Sequence, residues 1–193
     1  MAVRCGGGVV LGADTRTSLG TYIPSNMTDK LKRLSETIYC CVSGSAADTQ
    51  MITRHVVDAL KSLEVIEGEA PTVRRAAVMA RNIVYNNRWL LAKLIIAGYD
   101  STGRGSIFSV DLGGTVIESE WALGGSGSAF IYGYCDANWR QDMTLEDGLQ
   151  FVRSAIGHAT KRDNMSGGCI RMAAIGEGGV ARYFVPGDRI VAG

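Results

Sequence analysis

The chain has 193 residues, of which 46% are apolar and 20% charged, and this is the composition of a folded domain with a sizeable core. Its 20 basic and 19 acidic residues nearly cancel, which argues against nucleic acid or an anionic membrane surface as the partner. No apolar run approaches the roughly 20 residues of a membrane helix, and the start does not resemble a signal peptide. The sequence therefore predicts a single domain over residues 1–193.

The first half of the chain predicts short strands followed by two helices. Apolar runs between turn residues indicate four strands, at Gly8–Asp14, Tyr22–Pro24, Lys30–Leu34 and Ile38–Ser43. A helix then begins near Ser45 and ends before Gly68, with a predicted apolar stripe at Ala47, Met51, Val56, Leu60 and Leu63. Pro71 and Thr72 open a second helix.

The second half repeats this order of strands before helices. Three more strands are indicated, at Leu94–Tyr99, Gly105–Asp111 and Thr115–Trp121. A helix is predicted over residues 128–139 (SAFIYGYCDANW), after the glycine-rich segment GGSGS at 124–128. Thr144 and Asp147 resemble a capping box at the start of a fourth, amphipathic helix. The last two strands are predicted near Cys169–Ile175 and Val180–Phe184.

This order predicts an α+β fold. Helices come in pairs and do not alternate singly with strands, which argues against a doubly wound parallel sheet. Two antiparallel sheets covered by pairs of helices fit the order better.

The five cysteines do not indicate disulfides or a metal site. They lack framework spacing and any C-x-x-C motif, and neither His55 nor His158 has a ligand at metal-binding spacing. Cys40 and Cys41 are adjacent in a predicted strand, so they point to opposite faces and cannot hold one ion together. We expect reduced, mostly buried thiols in the cytosol or nucleus, with no metal and no cofactor.

Two other site motifs are incomplete. GGSGS lacks the lysine of a phosphate-binding loop, and Phe130 stands where the dinucleotide fingerprint has its third glycine, so a plain glycine-rich turn is favoured. Ser166 lacks the first glycine of a serine-hydrolase elbow, and both histidines are expected on solvated helix surfaces. A serine hydrolase is therefore only a remote alternative.

Five segments in order resemble the β subunits of the 20S proteasome, most closely the type 1 (caspase-like) position. They are GVVLGADTRTS, TDKL at 28–31, SGSAADTQ at 43–50, GGSGSAFIYGYCDANWR and RDNMSGG, and they extend over the whole chain. The resemblance implies the four-layer αββα sandwich of the N-terminal-nucleophile hydrolases. It also implies a threonine endopeptidase whose nucleophile is an N-terminal threonine, exposed by autocatalytic cleavage of a propeptide.

The resemblance assigns catalytic roles to six positions. Lys30 would favour the threonine alkoxide, Asp14 would keep Lys30 charged and oriented, and the Gly44 N–H would stabilise the oxyanion. Three residues would hold the terminal amine, which serves as the base: Ser126, Asp163 and Ser166.

The resemblance also assigns substrate-binding residues. Ser18, Gly44 and Ala46 would pair with the backbone of an extended peptide. The pocket for the side chain before the scissile bond would be lined by Thr17, Thr28, Lys32, Val42, Ala46 and Gln50.

Two departures from the family pattern bear on activity. Val42 stands where type 1 subunits carry arginine, so we expect a preference for aliphatic instead of acidic side chains. The family's threonine lies a few residues before the position of Met1, and we expect the given sequence to start after it. The alternative is a non-catalytic, structural subunit of the same ring.

The resemblance further implies the partners and the location. The family assembles with other β and α subunits into rings of seven, which stack into a core particle of twenty-eight subunits. Its substrates are unfolded, ubiquitin-targeted polypeptides in the cytoplasm and nucleus.

Overall fold

The computed structural model of the protein describes residues 1–190, which contain twelve β-strands and four α-helices. The strands are β1 (Ala2–Cys5), β2 (Gly8–Asp14), β3 (Thr17–Leu19), β4 (Tyr22–Ser25), β5 (Leu31–Arg33), β6 (Ile38–Gly44), β7 (Ala92–Tyr99), β8 (Gly105–Val110), β9 (Val116–Glu118), β10 (Trp121–Ala122), β11 (Ile170–Gly176) and β12 (Gly179–Val185). The α-helices are α1 (Ala46–Glu67), α2 (Val73–Asn86), α3 (Tyr132–Asn138) and α4 (Leu145–Arg162).

The strands form two five-stranded antiparallel sheets and one hairpin. The first sheet has the order β10-β1-β2-β11-β12, the second has the order β5-β6-β7-β8-β9, and β3 pairs with β4. Helices α3 and α4 lie near the first sheet, and α1 and α2 lie against the second. A buried cluster joins the two sheets. The predicted four-layer αββα sandwich is confirmed.

The central strands of each sheet are buried on both faces, which explains their nearly continuous apolar runs. In β6, Ile38 and Cys40 point into the core shared with α1 and α2, whereas Tyr39 and Cys41 point into the core between the sheets. This alternation is the two-residue period of a strand. It confirms that Cys40 and Cys41 lie on opposite faces.

Hydrogen bonds at the caps explain where three of the helices begin. Ser45, Thr72 and Thr144 each accept a hydrogen bond from a backbone N–H in the first turn of the helix that follows. The predicted capping box is confirmed, since Asp147 accepts in return from the Thr144 backbone at 3.0 Å. Gly68, with a positive φ of 72°, ends α1.

The predicted stripe of α1 is partly wrong. Val56 and Leu60 are buried, but Ala47 is exposed, and the buried face also contains Thr49 and Thr53. These threonines are tolerated in the core because each hydroxyl donates to the backbone carbonyl four residues earlier, at 3.0 and 2.8 Å.

Three predicted elements differ in detail. The strand predicted over Thr115–Trp121 is two strands in different sheets, because the chain crosses from β9 to β10 at residues 119–120. The helix predicted over residues 128–139 is a 3-10 turn (Ser126–Phe130) followed by the short α3. The short strands β1 and β3 fall outside the strand bounds predicted from the sequence.

Four of the five cysteines, Cys5, Cys40, Cys41 and Cys135, are buried, and Cys169 is half-buried; all five are free thiols. Burial is the largest cause that raises the thiol pKa of the four buried residues, to about 11 for Cys5 and Cys135.

Residues 1–190 contain no helix with the length and apolar content needed to cross a membrane. In the same described range, no three His, Cys, Asp or Glu side chains are grouped in a way that could hold a metal ion.

The two sheets approach each other closely at Gly8 and Gly105, and this contact gives a stability prediction. A Cβ added at Gly105 would collide with the backbone carbonyl of Gly8 on the opposite sheet. We expect Gly105→Ala to lower the free energy of unfolding by about 1–3 kcal/mol through overpacking. Gly133 in α3 has open space around its Cα, so Gly133→Ala is the matched control and should not destabilise. Urea unfolding measures both, and equal stability of the two variants would contradict the prediction.

Candidate active site

The polar residues of the candidate site meet at one end of the two sheets. Asp14 ends β2, Lys30 directly precedes β5, and Gly44 ends β6. Ser126 opens the 3-10 turn, and Asp163 and Ser166 follow α4. All six residues predicted to be catalytic are therefore brought together, although they lie up to 152 positions apart in the chain (166 − 14).

An ion pair between the sheets is the centre of this group. Lys30 Nζ donates to Asp14 Oδ1 at 2.5 Å, and the two side chains are only 23% and 13% exposed. Asp14 belongs to the first sheet and Lys30 adjoins the second. The other Asp14 oxygen accepts from the backbone N–H of Gly167 at 2.9 Å and of Arg16 at 3.2 Å. The carboxylate is thus held in place, and it in turn orients the ammonium group.

A second carboxylate is satisfied by hydroxyl groups. Asp163 Oδ2 accepts from Ser126 Oγ and Ser166 Oγ, both at 2.6 Å, and Oδ1 accepts from the Met165 N–H at 3.1 Å. Burial, the largest single cause, raises the pKa of Asp163, but the two serine bonds, the Met165 bond and the charge of Lys30 outweigh it, and the net pKa lies below its usual value. Asp163 is therefore an ionised acceptor that is largely shielded from water.

The backbone of Gly44 requires glycine. Its φ is 104°, in the region that side chains disfavour, and a Cβ there would collide with the Leu91 carbonyl. The last residue of β6 can therefore present its backbone directly to a bound molecule.

Four of the six residues line a small cavity of about 90 Å³. Asp14, Lys30, Ser126 and Ser166 line it, together with Met1. Met1 continues the pairing of β1 with β2: its N-terminal nitrogen donates to the Gly12 carbonyl at 2.7 Å, and its carbonyl accepts from the Gly12 N–H at 2.9 Å.

A larger cavity of about 340 Å³ adjoins the first, because both are lined by Lys30, Val42, Ser43, Gly125 and Ser126. All eight residues predicted to bind substrate line this larger cavity: Thr17, Ser18, Thr28, Lys32, Val42, Gly44, Ala46 and Gln50. Their placement fits the predicted use, and their individual roles stay predictions.

Of the two lysines that line the larger cavity, one has a carboxylate partner within the described part of the chain and the other does not. Asp29 pairs with Arg182 at 2.7 Å, and Lys30 pairs with Asp14. Over residues 1–190, Lys32 makes no ion pair. Val42 adds an aliphatic wall to this cavity.

Sequence reasoning missed two residues that hold the site together. Thr15, fully buried, accepts from the Cys169 N–H at 2.8 Å and donates to the Asn26 carbonyl. Arg16 donates to the Asn164 carbonyl at 2.8 Å. Both tie the β2–β3 connection to the loop after α4. Their position beside Asp14 in GADTRTS was the only signal in the sequence.

The candidate site lacks the histidine base that a serine hydrolase needs. Ser126 and Ser166 bond to Asp163, and no histidine is among the residues lining either cavity. His55 is exposed on α1, as predicted, with its Nδ1 2.8 Å from the Met51 carbonyl. His158 was predicted to be solvated but is half-buried, because it packs on Tyr134 with ring centres 4.6 Å apart.

Comparison with known proteins identifies the family. Residues 1–175 match the family model described as "Proteasome subunit", so this chain belongs to the proteasome subunit family.

Curated relatives narrow the class to β-type subunits of the 20S proteasome. The chain is 52% identical to a probable proteasome subunit beta type-1 of Encephalitozoon cuniculi, over 99% of this chain and 93% of the relative. It is 45% identical to a probable beta type-1 subunit of Schizosaccharomyces pombe, over 95% and 81% of the two chains. It is 42% identical to a beta type-6 subunit of Arabidopsis thaliana, over 98% and 82%.

The hydrogen-bonded Asp163 gives a pH prediction. Its pKa is lowered in the folded state, so its contribution to stability is present above the unfolded pKa of about 3.9 and is lost as pH falls through the lower folded value. We expect Asp163→Ala to destabilise by about 1–3 kcal/mol at pH 7, because two hydroxyl groups lose their acceptor.

Urea unfolding at several pH values measures this difference, which should shrink as the pH falls below 3.9. Asp136→Ala, at an exposed position of α3, is the control and should change little at any pH. A difference between the wild type and Asp163→Ala that stays constant down to acidic pH would contradict the prediction.

Proposed function

We propose that this protein is a catalytic β subunit of the 20S proteasome, a threonine endopeptidase whose nucleophile lies a few residues before Met1. One observation carries the proposal: the Lys30–Asp14 pair and the Ser126–Asp163–Ser166 cluster flank the same small cavity, and Met1 is part of its wall.

The register of the first sheet supports this position for the nucleophile. Ala2 lies opposite Leu11, and Met1 bonds to Gly12. Residues that continue β1 backwards in the same register would run alongside Ala13, Asp14 and the residue after it. An N-terminal hydroxyl placed there would be close to the ammonium group of Lys30.

The groups present would divide the chemistry as follows. The positive charge of Lys30 lowers the pKa of the threonine hydroxyl, and the threonine's own α-amino group, whose pKa is ordinarily about 7.7 to 8.0, takes up the hydroxyl proton through a water molecule. The alkoxide attacks the peptide carbonyl, and the Gly44 N–H donates to the oxyanion. The amine leaves with the proton, and water hydrolyses the resulting ester.

The Asp163 cluster would act on the amine and not on the substrate. Its two serine hydroxyls already donate to the carboxylate, so their oxygens remain free to accept from an ammonium group. A low pKa keeps Asp163 negative at neutral pH, which stabilises a nearby protonated amine.

The larger cavity would bind the residue before the scissile bond, and Ser18, Gly44 and Ala46 would pair with the peptide backbone as an added strand. The same proposal includes assembly with other β and α subunits in rings of seven, propeptide removal, ubiquitin-targeted polypeptides as substrates, and location in the cytoplasm and nucleus.

The decisive experiment is intact mass analysis of the subunit from the assembled particle, with and without a peptide epoxyketone. We expect a mature N-terminal threonine that carries the adduct. In Lys30→Met, adduct formation should be at least about 100-fold slower, because the charge that favours the alkoxide is lost. A mature terminus at Met1 without an adduct would instead support a structural ring subunit.

A second prediction concerns side-chain preference. Because Val42 is aliphatic and Lys32 is, within residues 1–190, the only lysine of the cavity without a carboxylate partner, we expect fluorogenic peptides ending in Leu to be cleaved faster than those ending in Asp. Val42→Arg should reverse this order by supplying a bidentate partner for a carboxylate. The wild-type and Val42→Arg particles are compared by kcat/KM, and a clear Asp preference in the wild type would refute the prediction.

A further inference from the structure

A third opening adjoins the site on the opposite side of β6. It is an open groove of about 570 Å³, lined by Leu91, Lys93, Asp111, Leu112 and four residues that also line the larger cavity: Ser43, Gly44, Gly125 and Ser126. The groove is therefore continuous with the proposed active site at Gly44 and Ser126.

The order of strands places the two openings on different sides of Gly44. The second sheet runs β5-β6-β7-β8, and Gly44 at the end of β6 pairs with Ala92 of β7. The larger cavity takes residues from the β5 side, such as Lys32, whereas the groove takes Lys93 from β7 and Asp111 from the turn after β8. An extended peptide that fills the larger cavity and passes Gly44 would continue into the groove.

The chemistry of the groove is apolar and nearly neutral. Leu91 and Leu112 are 62% and 60% exposed, so both leucine side chains are available to a bound molecule. The two charged residues neutralise each other, since Lys93 Nζ lies 2.7 Å from Asp111 Oδ1. A side chain entering the groove would therefore gain apolar contact but would find no unpaired charge to recognise.

We propose that this groove binds the residues that follow the scissile bond, and that Leu91 and Leu112 select an apolar side chain at the first of these positions. The inference rests on the proposed peptidase function, because that function places the residue before the scissile bond in the larger cavity. The inference adds a preference for the side chain directly after the scissile bond, which the larger cavity does not contact.

The test uses the assembled proteasome that contains this subunit. Internally quenched peptides share one sequence up to the scissile bond and carry Leu, Gly, Asp or Lys directly after it. The cleavage rate of a particle with Lys30→Met in this subunit is subtracted as background, and mass spectrometry of the products confirms the cleaved bond. We expect kcat/KM for Leu to exceed that for Asp or Lys about tenfold.

Two variants of Leu112 and one control variant test whether this residue selects the side chain after the scissile bond. Leu112→Ser should reduce the Leu-to-Asp ratio to about twofold, and Leu112→Lys should move the preference to Asp by adding an unpaired positive charge. Val65→Ser alters an 85% exposed apolar side chain near the end of α1, outside the groove, and should keep the wild-type ratio.

The outcomes separate the two proposals. If the wild-type subunit forms the epoxyketone adduct but cleaves all four peptides at similar rates, or if neither Leu112 variant alters the ratio, the groove does not select the leaving group and this inference alone is overturned. If no adduct forms and cleavage does not depend on Lys30, the proposed function fails and the inference fails with it.

Discussion

The site depends on one ion pair that links the two sheets. Asp14 ends a strand of the first sheet, and Lys30 adjoins the edge strand of the second, with 2.5 Å between the charged atoms. Both side chains are mostly shielded from water, where desolvation offsets much of the Coulomb attraction, and apolar replacements of such pairs are often neutral or stabilising. Stabilisation of the fold therefore does not by itself explain why an ion pair occupies this position. A charged ammonium group fixed beside a small cavity is the more specific result of this arrangement.

The end of β6 organises what surrounds that pair. Val42 contributes to the small cavity and to the larger one, and Ser43 and Gly44 connect the larger cavity to the groove beyond. Three consecutive residues of one strand thus contact all three openings. The middle of β6 is buried on both faces, so the core fixes the position of this strand. The residues at its end that line the three openings are therefore held in place as well.

Much of the fold could be predicted from local sequence. The strand Gly8–Asp14 and the capping box at Thr144 were correct because periodicity and cap chemistry act over a few residues. The break between β9 and β10 was not predictable, because it depends on which sheet each strand joins. The burial of Thr49 in α1 was also missed, since its hydroxyl is satisfied only once the helix has formed.

In the candidate site, too, local sequence could not reveal what depends on tertiary contacts. From their local sequence, Asp14, Lys30 and Asp163 have no distinguishing feature, and only the resemblance to a family placed them together. The supporting roles of Thr15 and Arg16 depend on contacts with a loop about 150 positions away, at Asn164 and Cys169, which no local pattern reveals.

The buried thiols have a consequence for covalent chemistry. A cysteine reacts with electrophiles as the thiolate, and burial raises the pKa of four of the five thiols in this chain, so little thiolate is present at neutral pH. Only Cys169 is partly accessible, with its sulfur 3.9 Å from the sulfur of Met27. Electrophilic peptides directed at a hydroxyl nucleophile would therefore meet little competition from cysteine within this subunit, and such reagents gain chemoselectivity from the packing of the core.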